Sequence, residues 1–264
     1  MAEPTTDVSG ERIPTVIVDN AHVVYRVHGS ATPGTGTPIA SLKRLVTGTK
    51  LASVREVHAI KGVSFVAYRG EAVGLIGSNG SGKSTLLRAI AGLLPVQQGA
   101  VYAAGQPSLL GVNAALMNDL PGERNVVLGC LAMGMTPAEV KAQTAAIIEF
   151  SGINERGDFS SMPMRTYSSG MAARLRFSIA AAKKHDVLLI DEALATGDAR
   201  FRRRSEERVR GLRGEAGTVF LVSHAIGTIV DTCERSIWLE SGVIRADGPT
   251  DEVVKEYERY MNRK

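Results

Sequence analysis

Residues 16–27 are rich in Val and Ile and close on Tyr25, Arg26 and Val27, a pattern that predicts a strand. Residues 63–68 and 72–76 repeat it on a shorter scale, separated by the turn Arg69-Gly70-Glu71. In between, residues 29–37 form a Gly/Pro/Thr loop. Residues 41–55 then set Leu42, Leu45, Val46 and Leu51 among Lys43, Arg44, Lys50 and Arg55, which predicts a short basic amphipathic helix broken near Gly48. Residues 84–94 read as a buried helix stopped by Pro95. From 118 to about 160 the periodicity turns helical, over 123–133 and then 136–150, with Thr136-Pro137 as cap and first turn. An Ala-rich helix follows over 170–184, then buried strands at 187–190 and 218–222. A hairpin over 237–239 and 243–246 turns at Ser241-Gly242, and residues 251–261 predict a last helix. Strands alternating with helices predict an α/β fold around a largely parallel sheet, with a helical sub-domain inserted at about 115–170.

The 264 residues are 44% hydrophobic and 22% charged, which excludes collagen-like, low-complexity and wholly disordered chains. Two cysteines, Cys130 and Cys233, cannot make a disulfide scaffold and suit a reducing compartment. No stretch approaches the roughly 18–20 apolar residues of a membrane span. Residues 1–15, with Glu3, Asp7 and Glu11 and no apolar core, read as a disordered tail rather than a signal peptide. A net charge of +4 discriminates nothing by itself.

The run Gly77-Ser78-Asn79-Gly80-Ser81-Gly82-Lys83-Ser84-Thr85 fits G-x-x-x-x-G-K-[ST], after an apolar strand and before a helix. Glycines let successive backbone N–H groups point into one concavity that binds phosphate oxygens, and the helix adds its positive end. Lys83 is then the partner of the β- and γ-phosphates of ATP, and the Ser84 hydroxyl a ligand of Mg²⁺. The apolar run 187–190 ends in Asp191-Glu192. Asp191 suits the metal side, and Glu192 is the carboxylate that would polarise the attacking water. Alone, such a strand end is only a solvated acid; beside a phosphate loop it becomes half of a nucleotide hydrolase.

Between these elements stands Tyr167-Ser168-Ser169-Gly170-Met171, and after them Asp198 and then His224 at the end of the strand 218–222. Singly, Ser-Ser-Gly is a helix cap and a His a core residue. In this order the set resembles the nucleotide-binding subunits of ABC transporters, over about residues 16–254. The resemblance implies a P-loop NTPase with a RecA-like core, an antiparallel β sub-domain and the inserted helical sub-domain, together forming an ABC ATPase domain over 16–264. It implies a signature at Ser168, Ser169 and Gly170, a D-loop around Asp198 and a γ-phosphate switch at His224. It places Tyr25 where an aromatic stacks on adenine, against the alternative of a packed strand tyrosine. It also implies a second copy of the chain, closing head to tail so that each ATP lies between one phosphate loop and the other signature.

Two departures stand out: Ser169 and Met171 replace the more usual Gly and Gln, and the loop before Glu123 lacks the usual Gln, leaving Asn113 as a substitute. Leu120-Pro121-Gly122-Glu123-Arg124-Asn125, Gly197-Asp198-Ala199-Arg200-Phe201 and the basic segment 41–55 resemble the polysaccharide-export branch, the actinobacterial galactan type most closely. That implies a membrane-spanning permease as partner, a lipid-linked glycan as cargo, and a peripheral position on the cytoplasmic face of the plasma membrane. With the chain ending at Lys264, no appended carbohydrate-binding domain is expected, and glycan selection is expected to lie in the permease or to be absent. The segment 41–55 suits either the headgroup boundary or packing on the core. The rival class is a soluble ATPase acting on nucleic acid, through Arg200, Arg202, Arg203, Arg204, Arg208, Arg210 and Arg213. Glu206, Glu207 and Glu215 interleave with them, so a solvated helix is expected there and no nucleic-acid partner.

Overall fold

The apolar runs become two sheets. In the computed structural model, which describes residues 12–28, 54–110, 116–183, 185–191, 200–201, 203–205, 207–208, 211, 217–223 and 225–263, nine strands are described. They are β1 (Pro14–His28), β2 (Val54–Tyr68), β3 (Ala72–Ile76), β4 (Gln98–Ala103), β5 (Ser108–Leu109), β6 (Val187–Asp191), β7 (Thr218–Val222), β8 (Arg235–Glu240) and β9 (Val243–Pro249). The first sheet is antiparallel with the order β2-β1-β4. The second has the order β5-β6-β7-β3-β8-β9, parallel up to the antiparallel hairpin β8–β9.

The named helices among the described residues are α1 (Lys83–Ile90), α2 (Gly122–Ala132), α3 (Pro137–Ser151), α4 (Ser169–Ala180), α5 (Ile226–Thr232) and α6 (Thr250–Met261). Alternation along each parallel strand divides its side chains between two cores. Val73, Leu75, Leu189 and Phe220 join Leu86 and Leu87 of α1 and Ile60 and Val63 of the antiparallel sheet. Ile76, Leu188, Ile190 and Leu221 face the other way, onto Phe177 of α4, Ile229 of α5 and Val253 of α6. Each fully buried leucine here contributes about 1.5–3 kcal/mol relative to exposure.

A third cluster forms the helical layer, with Val126, Cys130, Val140, Ile147, Leu175 and Ile179 at its centre, so α4 belongs to two cores at once. Burial pushes the Cys130 thiol up to about 11, which suits a packing role. Thr136 caps α3 with a full capping box, its hydroxyl accepting from the Glu139 N–H.

Several boundaries differ from expectation. The helix expected to reach residue 94 ends at Ile90, because Gly92 takes a positive φ of 70°. The Ala-rich helix expected to reach 184 ends at Ala180. β1 begins at Pro14, where Thr15 is buried and its hydroxyl donates to the Ala67 carbonyl. Val54 and Arg55, expected to close the basic helix, open β2 instead, and 41–53 lie outside the described residues. β4 and α5 were not expected. No helix among the described residues is long and apolar enough to cross a membrane.

Candidate functional site

β3 ends in the middle of the parallel sheet, and the loop 77–82 covers its C-terminal edge before α1 begins. Gly77, Gly80 and Gly82 take φ values of 144°, 78° and 111°, conformations that favour glycine. At Gly77 space is closed as well, since a Cβ there would strike the Leu239 carbonyl oxygen of β8. The loop is fastened to the β8–β9 turn by the Gly242 N–H, which donates to the Ser81 carbonyl at 2.9 Å. The Ser78 hydroxyl donates to Glu240 Oε2 at 2.8 Å, and Glu240 is only 5% exposed. α1 has no side-chain cap and no acid in its first turn, so its positive end is left to an anion.

The Lys83 ammonium donates to the Gly77 carbonyl at 2.8 Å and the Ser78 carbonyl at 3.0 Å, lying across the loop it serves. Burial pulls its pKa below the ordinary 10.5, while Asp191 and then Glu240 pull it up. Asp191 is brought there by register. It pairs with Val222 in β7, and Val222 pairs with Leu75 in β3, so the three strand ends form one row. The same row delivers Ser223, which precedes His224. Tyr25 stands half-buried on β1 with its hydroxyl 3.3 Å from that of Thr85, so an aromatic ring flanks the start of α1.

Ser168, Ser169 and Gly170 form a separate surface. Ser168 is the N-cap of α4, its Oγ accepting from the Met171 N–H at 3.2 Å, and the hydroxyl proton stays available to an outside acceptor. A Cβ at Gly170 would find nothing of its own chain nearer than Ser168 Oγ at 3.9 Å. Beside this surface lies a cavity of about 530 Å³ whose walls include Ser168, Gly170, Arg156 and Arg174, with no wall from the phosphate loop. The structure therefore brings together Tyr25, residues 77–85 and Asp191, and leaves the signature apart. Glu192, Asp198, His224 and Asn113 lie outside the described residues.

Sequence reasoning missed Glu240. The signal was present, since Ile237-Trp238-Leu239-Glu240 is a buried strand ending in an acid, like the run before Asp191. Asn125, the last residue of the run 120–125, has a structural role that its sequence context does not signal. Asn125 is fully buried, and its carboxamide accepts from the Met117 N–H and donates to the Met117, Leu120 and Pro121 carbonyls. Among the described arginines of the arginine-rich stretch Arg200 and Arg203 are exposed, as a solvated helix requires, while Arg204 and Arg208 are partly buried. Arg200 and Arg204 both reach Glu155, at 3.6 and 3.3 Å, and Arg208 donates twice to the Ala181 carbonyl at the end of α4.

Comparison with known proteins gives concordant matches. The ABC transporter family model matches residues 60–195. The chain is 42% identical over 205 residues to the teichoic acids export ATP-binding protein TagH of Enterococcus faecalis, covering 78% of this chain and 45% of that protein. It is 38% identical over 205 residues to the protein of the same name in Staphylococcus saprophyticus, covering 78% and 76%. The chain thus spans about half the length of the enterococcal relative. Among solved structures, a dimeric post-hydrolysis ATP-binding cassette bound to ADP and Pi superposes with a TM-score of 0.68 at 20% identity, covering 89% of this chain and 98% of that one. An ATP-binding subunit of an ABC transporter gives 0.68 at 21%, covering 92% and 93%. These two likenesses establish the P-loop NTPase fold.

Proposed function

Since this chain belongs to the ABC transporter family of ATP-binding domains, we propose that it is the ATP-hydrolysing subunit of an exporter that moves a lipid-linked polysaccharide across the cytoplasmic membrane. It works at the inner face, docked on a membrane-spanning permease. The observation that carries this reading is the phosphate loop 77–84 with Lys83 inside the field of Asp191, in a chain whose relatives are named for teichoic acid export.

The residues divide the work as follows. The N–H groups of the loop and of the first turn of α1 hold the phosphates, and the Lys83 ammonium exchanges its neutral carbonyl acceptors for charged oxygens. Tyr25 stacks on the adenine. Ser84, next to Lys83 in α1, and Asp191, whose charge acts on Lys83, are a hydroxyl and a carboxylate that would hold a Mg²⁺ ion, and the ion would neutralise charge on the phosphates. Glu192 accepts the proton of the attacking water, and His224 contacts the γ-phosphate.

A second copy supplies Ser168, Ser169 and Gly170 across the nucleotide, with Asp198 near the junction. The room around Gly170 supports this. Its own chain does not require a glycine there, whereas a phosphate approaching the backbone from outside does. ATP thereby joins two copies, and its hydrolysis releases them, which is a ligand-driven switch.

The test uses Glu192→Gln, which keeps the acceptor geometry and removes the base. This variant is expected to bind ATP, to dimerise with it and to lose turnover; near-normal turnover rules out Glu192 as base. Adding Ser168→Arg is expected to abolish the dimer, and a double variant that still dimerises sinks the shared site. For the cargo, the chain is expected to co-purify with the permease. Its depletion should make a lipid-linked glycan accumulate, and the structure of that lipid decides between galactan and a teichoic acid.

A further inference from the structure

The segment entering the signature is laced to the segment that enters α2. The Arg165 N–H donates to the Asn118 carbonyl at 2.8 Å and the Met164 N–H to Leu120 at 3.0 Å. In return the Gly122 N–H donates to Met162 at 3.3 Å and the Glu123 N–H to Ser160 at 3.0 Å. The Arg165 guanidinium closes the row on Asp119 at 2.7 Å. Tyr167, the residue before the Ser168 cap, ends this segment. Its phenol donates a 2.5 Å hydrogen bond to the Phe159 carbonyl, with the two rings edge to face at 6.2 Å.

That position exists only because residue 122 has no side chain. A Cβ on Gly122 would strike the Tyr167 hydroxyl oxygen, and its next contact would be Cζ at 3.2 Å. Gly122 is the first residue of α2 and is absent from the residues with positive φ, so its backbone is open to any residue. The glycine is needed for the space it leaves. One chemical feature in the turn before α2 thus admits one in the signature, forty-five positions away in sequence but in contact in space.

We propose that Tyr167 is a positioning residue for the ATPase reaction. Its phenol, seated in the notch over Gly122, fixes the place from which Ser168 and the N-terminus of α4 meet the γ-phosphate held by the other copy. This rests on the two-copy reading above. Short elements lead into the signature, a turn at 160–163 and one 3₁₀ turn at Met164–Thr166, so a side-chain anchor governs where Ser168 stands. The cavity beside the signature takes no wall from the phosphate loop. The anchor therefore acts on assembly of the shared site and leaves nucleotide capture by the single chain alone.

The experiment is a double-mutant cycle in the Glu192→Gln background, reading ATP-driven dimerisation by light scattering and ATP affinity of the dilute monomer by a fluorescent analogue. Tyr167→Phe is expected to weaken dimerisation about fivefold to tenfold, the scale of one buried hydrogen bond, with monomer affinity unchanged. Gly122→Ala is expected to weaken it more. Gly122→Ala with Tyr167→Phe is expected to dimerise better than Gly122→Ala alone, because the oxygen that the new methyl strikes is gone. Losses that simply add, or a monomer affinity that falls in step with dimerisation, overturn the proposal. If Gly122→Ala does not fold, comparison of Tyr167→Phe with Tyr167→Leu decides. A phenylalanine variant that dimerises like its parent overturns the proposal whatever leucine does. A parent that does not dimerise with ATP overturns the two-copy reading and this inference with it, whereas a parent that dimerises isolates the role of Tyr167.

Discussion

The Ser78 hydroxyl donates to the Glu240 carboxylate at 2.8 Å, and this bond between residues 162 positions apart fastens the phosphate loop to the β8–β9 hairpin. With the Gly242 N–H on the Ser81 carbonyl, it gives the loop a second support beyond its own glycines. It also places a buried carboxylate beside the Lys83 ammonium, where it favours the charged form of the lysine.

Glu240 therefore has two separable effects on nucleotide. Glu240→Ala leaves the Ser78 hydroxyl without its acceptor and is expected to weaken ATP binding about fivefold. Glu240→Gln keeps an acceptor and removes a negative charge near the phosphates, so affinity is expected to hold or improve. Titration with a fluorescent ATP analogue separates the two, and equal losses in both variants would show that Ser78 is not the target.

Lys83→Ala is expected to abolish tight nucleotide binding while leaving the fold intact. Burial lowers the Lys83 pKa, so its charge is lost at a lower pH than the ordinary 10.5. ATP affinity should therefore begin to fall at a lower pH than it would with an ordinary lysine. Lys83→Arg stays charged throughout and should show a flatter profile, whatever its absolute affinity.

Asn125→Ala is expected to destabilise the protein by about 2–4 kcal/mol, since one fully buried side chain serves Met117, Leu120 and Pro121. Asn125→Asp preserves the shape but turns the donating nitrogen into an oxygen that faces carbonyls. It should be at least as damaging in urea denaturation. A mild Asp effect would mean that shape, rather than donation, is what the site needs.

His185 is buried, with Nε2 2.8 Å from the Ala180 carbonyl. Burial lowers its pKa from 6.5; the Ala180 bond raises it, Lys183 lowers it and Asp186 raises it. The unfolded chain therefore takes up the proton first. The resulting stability is present above pH 6.5 and is lost as pH falls through the lowered value. Melting temperatures between pH 7.5 and 5 should fall more steeply for the parent than for His185→Gln, which keeps a donor and does not titrate.

The sequence by itself determined the parts whose information is local. The phosphate loop, the strand ending in Asp191, the Thr136 cap and the hairpin at Ser241-Gly242 are each written within a few consecutive residues, where glycine spacing or an apolar run dictates the backbone. The order of the phosphate loop, the signature at 168–170, Asp191-Glu192, Asp198 and His224 along the chain already resembles the family that the comparisons show.

What only the tertiary structure decided depends on what lies across a gap in space. β4, with Gln98 and Gly99 at its start, has little strand character of its own and exists by pairing with β1. Gly77 is required by the Leu239 carbonyl, Gly122 by the Tyr167 phenol, and Glu240 matters through Ser78. Sequence patterns report the conformation a residue prefers and the side it buries. They do not report which distant atom will occupy the space beside it, because excluded volume and hydrogen bonding act only between groups that folding has already brought together.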